Sequence, residues 1–120
     1  MKKNNNLLLE IINGIEEVKG ENLVILDLSK LENSISDYFV ICEGNSNTQV
    51  TAIANSIRKN VSKILKEKPF KEEGADTANW ILLDYTNIIV HVFQKPTRLF
   101  YRLDDFWKDA LKVDINNLKN

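Results

Sequence analysis

The chain predicts an α/β fold, a single domain in which one mixed β-sheet is packed by helices. Three observations carry that prediction. Amphipathic helical stretches and short apolar runs succeed one another as helix, strand, strand, helix, strand, strand, helix. A length of 120 residues suits one domain covering 1–120. A composition of 43% hydrophobic and 28% charged residues lets such a chain bury one sizeable core without disulfide staples. The order of the strands in the sheet does not follow from the pattern.

The first helix rests on Leu8, Ile11, Ile12, Ile15 and Val18, which keep helical spacing while Glu16, Glu17 and Lys19 fall off that stripe. Gly20 stands where such a helix ends. Residues 22–28, NLVILDL, form a short run of strand formers between Gly20 and Ser29. Residues 31–36 read as a loop with capping residues. Residues 37–42, DYFVIC, read as a second strand buried on both faces, because the apolar residues do not alternate.

The GNSN turn that follows, Gly44–Asn47, has the outline of a phosphate-cradling loop. It also has a structural account. Ser46 precedes Gln49 by three residues, so the Ser oxygen can accept from the Gln49 amide while Gln49 reaches back, as in a capping box. Val50, Ile53, Ala54, Ile57, Val61, Ile64 and Leu65 then share one face of a long helix that stops before Pro69. Arg58, Lys59, Lys63 and Lys66 fall elsewhere and read as a solvated face. A phosphate site would use the same helix N-terminus. It would usually add a second Gly, or a Lys followed by Ser or Thr, and neither is present. A strand end, a Gly turn and a helix cap is therefore the first reading, and an anion site the second.

Residues 67–79 are a polar connection marked by Gly and Pro, with room for one short edge strand near Phe70. Residues 80–85 and 88–94 are two strands separated by Thr86-Asn87, a hairpin-length gap, and Pro96 closes the second. Over 97–111, apolar residues at mixed three- and four-residue spacing predict one or two short helices, with Asp104 an internal cap. The polar tail after Val113 is expected to fray.

Composition bounds function. A formal net charge of -1 argues against a general nucleic-acid coat, yet it suits docking on a basic protein. The single cysteine, Cys42, permits no internal disulfide and favours a reducing compartment. No apolar run reaches the roughly 18 residues of a membrane span. The leucines at 7–9 are cut off by Glu10 and lead to no small-residue cleavage site, so they read as helix, not signal peptide. With no transit peptide visible, the expected setting is cytoplasmic.

Chemistry is sparse. Alternation along the hairpin puts Ile81 and Leu83 with Ile88, Val90 and Val92 on an apolar face suited to a helix. The other face mixes Trp80, Leu82 and Asp84 with Ile89, His91 and Phe93. It is either core or the aromatic centre of an interface, and on these residues alone core is favoured for Trp80. His91 is the only histidine and reads as packed with a hydrogen-bond partner, since a metal site needs three or four ligands. Cys42 reads as an inert core thiol. Asp27, Asp37 and Asp84 offer no D-x-D or D-x-E pair within a strand of the kind that holds metal for phosphoryl transfer. No catalytic residue, cofactor site or metal site is therefore assigned.

Read in order, LDLS (26–29), DYFVICEGNS (37–46), QVTAIA (49–54), EGADTANWILLDY (73–85), IIVHVF (88–93) and RLFYRLDDFW (98–107) resemble the ribosomal silencing factor family, also called Iojap-like. The likeness covers a core of about 7–111. It implies a nucleotidyltransferase-like α/β fold without the transferase's acidic pair. It also implies a translation repressor, not an enzyme, expected to act in starvation or stationary phase. Such a factor binds the large ribosomal subunit at its ribosomal protein fourteen and sterically blocks the small subunit. Trp80 and Tyr85 match family positions facing that protein, with Asp84 between them as partner for a cation, and Glu73 and Glu72 as an acidic rim. The likeness shifts Trp80 from core toward interface. Four positions depart from the family pattern: Glu43 where Thr is common, Thr86-Asn87 where Gly-Asp is common, and Phe106 where Leu is usual. Two other readings remain. One is a nucleotidyltransferase-like nucleotide-binding protein using the GNSN turn, and the other a homodimer formed through the aromatic face. Neither membrane nor sequence-specific nucleic acid is an expected partner.

Overall fold

A computed structural model describes residues 2–32, 36–102 and 111–116, for 2–5 the backbone only. The elements are α1 (Lys2–Glu17), β1 (Glu21–Asp27), β2 (Tyr38–Gly44), α2 (Asn47–Leu65), β3 (Lys71–Glu73), β4 (Trp80–Asp84), β5 (Ile88–Gln94), α3 (Lys95–Tyr101) and β6 (Leu111–Lys112). They form the expected α/β domain, with one sheet in the order β3-β4-β5-β2-β1-β6. β2 and β5 run parallel, and the other neighbours are antiparallel. Parallel neighbours need a long crossover. Here α2 and the β3–β4 pair supply it.

α1 and α2 lie together on one face of the sheet. Leu8, Ile11, Ile12 and Ile15 meet Val50, Ile53, Ala54, Ile57 and Val61 above Val40, Cys42, Ile81, Leu83, Val90 and Val92, all buried. The helices come close enough that a Cβ on Gly14 would stand 2.8 Å from the Ile57 Cα. Polar groups fasten the same crossing. Ser56 Oγ donates to the Gly14 carbonyl at 2.6 Å, and Asn60 Nδ2 donates to the Glu10 carbonyl at 2.7 Å.

The end of α1 differs in detail from expectation. Lys19, not Gly20, takes the left-handed conformation (φ 59°). Gly20 is required for space, since a Cβ there would lie 2.6 Å from Ile15 Cγ2. The short strand expected near Phe70 is β3, at the sheet edge, held to β4 from Lys71↔Asp84 to Glu73↔Leu82.

The C-terminal region needs correction. α3 starts at Lys95, with Pro96 in its first turn, where the missing amide hydrogen is harmless. The expected cap Asp104, with Phe106 and Trp107, lies outside the described residues. Leu111–Lys112 is not a helix end but the edge strand β6, paired with Leu26 and Asp27. The described part of the segment after it, to residue 116, is held in place, and 117–120 lie outside the described residues. The Val113 amide donates to the Ile25 carbonyl at 2.9 Å, and Val113 and Ile115 pack against the core. A two-residue strand is too short to leave a periodic pattern. Among the described residues, no helix is long and apolar enough to cross a membrane.

Candidate functional site

The Gly44–Asn47 turn is internally satisfied. Ser46 Oγ accepts from the Gln49 amide at 3.1 Å, as the spacing implies. Gln49 reaches back one residue further than in a simple capping box, its Oε1 accepting from the Asn45 amide at 2.7 Å. The Val50 amide donates to the Ser46 carbonyl at 3.0 Å. The Gln49 side chain also lies against Gly44, where a Cβ would meet its Cβ and Cγ at 3.2 Å. The amides of 45, 49 and 50 thus point at protein oxygens, which supports the structural account of the turn.

The hairpin carries the candidate residues, and the sheet divides them. Trp80, Leu82 and Asp84 share the face away from α1 and α2, opposite Phe93, His91 and Ile89 of β5. Glu73 pairs with Leu82 across β3–β4 and so belongs to that face, where its carboxylate lies 3.2 Å from the Lys71 ammonium. Tyr85 falls on the opposite side, in the core cluster beneath the helices, only 7% exposed. Glu72 points the same way and pairs with Arg58 of α2 at 2.7 Å. Trp80, Asp84 and Glu73 are therefore brought together, while Tyr85 and Glu72 stand behind the same sheet edge.

The β4–β5 turn explains the position of Asp84. The Tyr85 carbonyl accepts from the Asn87 amide at 2.9 Å, closing a tight γ-turn about Thr86, whose φ is +76°. Asp84 Oδ1 accepts from the Thr86 amide at 2.7 Å. One carboxylate oxygen thus holds the turn. The Asn87 carbonyl accepts from the Asp37 and Tyr38 amides and from Ser36 Oγ at 2.7 Å, which ties the turn to the start of β2.

Trp80 is half-buried. Its ring stacks on Phe93 with centroids 4.7 Å apart and lies 5.1 Å from Tyr101 of α3. Its indole Nε1–H donates to His91 Nδ1 at 3.1 Å. His91 is thus a packed histidine with a partner, as its isolation in the sequence suggested. Burial lowers its pKa to about 4, so the ring is neutral. Accepting at Nδ1 puts the proton on Nε2, which has no partner among the described residues. Burial pushes the Cys42 thiol up to about 12, as befits a core thiol. The Tyr85 hydroxyl is raised above its usual value, chiefly by burial and then by Glu72, with Arg58 opposing. It too has no hydrogen-bond partner among the described residues. No group of three or more His, Cys, Asp or Glu side chains suited to a metal occurs among the described residues.

Two features were missed from sequence. The first is not α3 itself, which falls where the spacing predicts a short helix, but the exposure of its apolar residues: Leu99 and Phe100 are 76% and 77% exposed and Tyr101 is 51% exposed beside Trp80. Three consecutive large apolar residues cannot all face one side of a helix, and that was the available signal. The second is a buried charge pair: Glu43 Oε1 lies 3.1 Å from Arg98 Nη1, at 6% and 12% side-chain exposure. Asn22 joins it through Nδ2 to Glu43 Oε2 at 3.0 Å and through its carbonyl, which accepts from Arg98 at 2.6 Å. The pair ties α3 to β2 and β1 beside the candidate face.

Comparison with known proteins gives this architecture a family. A family model described as "Ribosomal silencing factor during starvation" matches residues 1–120. The ribosomal silencing factor of Halalkalibacterium halodurans is 36% identical over 115 residues, covering 96% of this chain and 97% of that protein. A chloroplastic Iojap protein of maize is 30% identical over 102 residues, covering 82% of this chain and 42% of that protein. A crystal structure of a Chromobacterium violaceum protein superposes with a TM-score of 0.81 at 29% identity, covering 86% of this chain and 84% of that one.

Proposed function

This chain belongs to the ribosomal silencing factor family, and from that premise we propose that it represses translation by occupying the large ribosomal subunit. In this reading it docks on ribosomal protein fourteen in the cytoplasm and bars the small subunit when nutrients are short. The mechanism is steric, with no bond made or broken. The observation that carries the reading is the family match over the whole chain. The geometry supports it locally. Half-buried Trp80 lies beside half-exposed Tyr101 of α3, an aromatic pair of the kind found at interface centres, and Leu99 and Phe100 of the same helix are exposed. Glu73 and Asp84 put acidic groups on the same face, suited to the rim of a contact with a basic protein.

Co-sedimentation tests it. The protein is mixed with purified large subunits, small subunits are added, and the mixture is run on a sucrose gradient. The protein should travel with the large subunit, and the joined-ribosome peak should fall. Trp80→Ala should fold and lose binding by at least about 2 kcal/mol, roughly thirtyfold, as for a true anchor. Tyr85, buried beneath the helices, is expected to act as core, so Tyr85→Ala should lose stability; a Tyr85→Ala protein that folds normally yet binds poorly would make it an anchor instead. A protein that stays at the top of the gradient, with joining unaffected, would defeat the proposal.

A further inference from the structure

We infer that His91 is a positioning residue for the docking contact: it holds the Trp80 indole in one orientation through the Nε1–H···Nδ1 bond and leaves the ring to be read by its partner as a purely apolar surface. The inference rests on the proposal that Trp80 is an anchor. His91 is buried and does not itself reach the surface.

Three observations lead there. Trp80 and His91 are not directly opposed across the hairpin, since Trp80 faces Phe93 and Leu82 faces His91. The 3.1 Å bond therefore runs diagonally across the β4–β5 pair, and it fixes the azimuth of the indole as well as its depth. Stacking on Phe93 at 4.7 Å and the Tyr101 ring at 5.1 Å pack the indole without direction, and the hydrogen bond adds the one directional constraint on its polar edge. Phe39, with its ring centroid 4.6 Å from that of His91, packs the imidazole from β2, so the acceptor sits on a rigid central strand pair.

The chemistry of the acceptor matters as much as its place. An indole carries one polar atom, a donor, and a buried or docked Trp normally finds it a partner. Here that donor is already engaged inside the protein. A docking partner therefore need supply no acceptor, and a contact that offers one in exchange gains little. The fitting partner presents an aliphatic or aromatic pocket to Trp80, with its polar groups toward Glu73 and Asp84. Holding the ring before contact also removes part of the ordering cost of association, about 0.5–1.5 kcal/mol for an immobilised side chain.

His91→Leu removes the acceptor while keeping a buried apolar volume. His91→Asn retains an acceptor oxygen near the Nδ1 position. Both are compared with wild type and Trp80→Ala by titration with purified large subunits. The Trp80 indole N–H is followed in ¹H–¹⁵N spectra, its cross-peak assigned by its absence in Trp80→Phe. The expected result is a shifted Trp80 peak and roughly two- to tenfold weaker binding for His91→Leu, with both restored toward wild type in His91→Asn. A His91→Leu protein whose Trp80 peak stays in place overturns the hydrogen bond. One whose peak moves while its affinity equals wild type overturns the positioning role, and the anchor reading survives if Trp80→Ala still loses binding. If Trp80→Ala binds normally, the anchor reading fails and this inference falls with it.

Discussion

The two faces of the sheet are built on different rules. Beneath α1 and α2 the residues are mostly apolar and close-packed. Ser56 and Asn60 there bridge helix to helix, Arg58 of α2 pairs with Glu72 of β3, and the Tyr85 hydroxyl is buried without a hydrogen-bond partner among the described residues. The other face holds a buried ion pair, a histidine bonded to a half-buried tryptophan, and a short helix with no buried residue. The β4–β5 turn beside it holds a threonine at φ +76°. These features are denser on the side that carries Trp80, the surface proposed above to meet a partner, and departures from local rules of this kind are what such a role would predict. The comparison can be broken or sharpened by substitutions on each side.

The largest effect should come from the ion pair. Arg98→Met leaves the Glu43 carboxylate buried without its cation, and removing one partner of such a pair costs about 3–5 kcal/mol. Replacing both, as Glu43→Thr with Arg98→Met, removes the stranded charge and should recover most of that loss, Thr being the residue common in the family. Urea denaturation of the single and double variants measures this. A single variant as stable as wild type would mean that the pair is not a lock on α3.

His91 gives the next effect, and its sign is fixed by linkage. The folded-state pKa is about 4, below the usual 6.5 of the unfolded chain. Above pH 6.5 the ring is neutral in both states and its contribution is fully present. As pH falls toward 4, the unfolded chain takes up a proton that the folded one refuses, so stability drops. The integrated loss is about 3 kcal/mol at 1.36 kcal/mol per unit. Carboxylates titrate in the same window, so the quantity to measure is the difference between wild type and His91→Leu across it. Parallel curves would show that burial does not hold the histidine neutral.

On the helix-covered face a smaller effect is expected from a single methyl. Gly14→Ala puts a Cβ 2.8 Å from the Ile57 Cα and 3.1 Å from the Ser56 carbonyl oxygen, both backbone atoms that cannot swing aside. Overpacking of this kind costs about 1–3 kcal/mol, against a helix-propensity gain of about 1 kcal/mol. The net should be a loss, read as a lower thermal midpoint. A raised midpoint would mean that the two helices can part without penalty.

What was legible in the sequence follows the same division. Helix periodicity located α1 and α2, because a stripe of large apolar residues repeats for many turns, and alternation placed β4 and β5 correctly. Nothing in the sequence marks Gly14, since a close helix approach leaves no local pattern. The short edge strand β6 was missed for the same reason. Among the candidate site residues, Trp80, Asp84 and Glu73 share a face through strand parity and the β3–β4 register, whereas Tyr85 has the opposite parity and is buried. The parity was in the sequence. The register of a three-residue strand was not. Glu43 was visible as a departure from its family, but its partner Arg98 lies fifty-five residues away and only the fold joins them.

The smallest effect should have the opposite sign. Thr86 sits at φ +76°, where a β-branched side chain crowds its own backbone. Such strain costs about 1–3 kcal/mol. Glycine, common here in the family, adopts this conformation freely, although it also loosens the unfolded chain by about 0.5–1 kcal/mol. Thr86→Gly should therefore gain between nothing and about 2 kcal/mol, seen as a higher urea midpoint at unchanged slope. Thr86→Ala should gain less, since it keeps a Cβ at positive φ. The Asp84 carboxylate and the Asn87 carbonyl hold the turn from both sides, through the Thr86 amide and the start of β2, so the backbone should keep its course in either variant. Binding then decides what the strain is for. If Thr86→Gly is more stable and binds large subunits as well as wild type, the strain is incidental to this chain. If it is more stable yet binds less tightly, the threonine belongs to the docking face, and the less regular side of the sheet has given up stability for contact at that point.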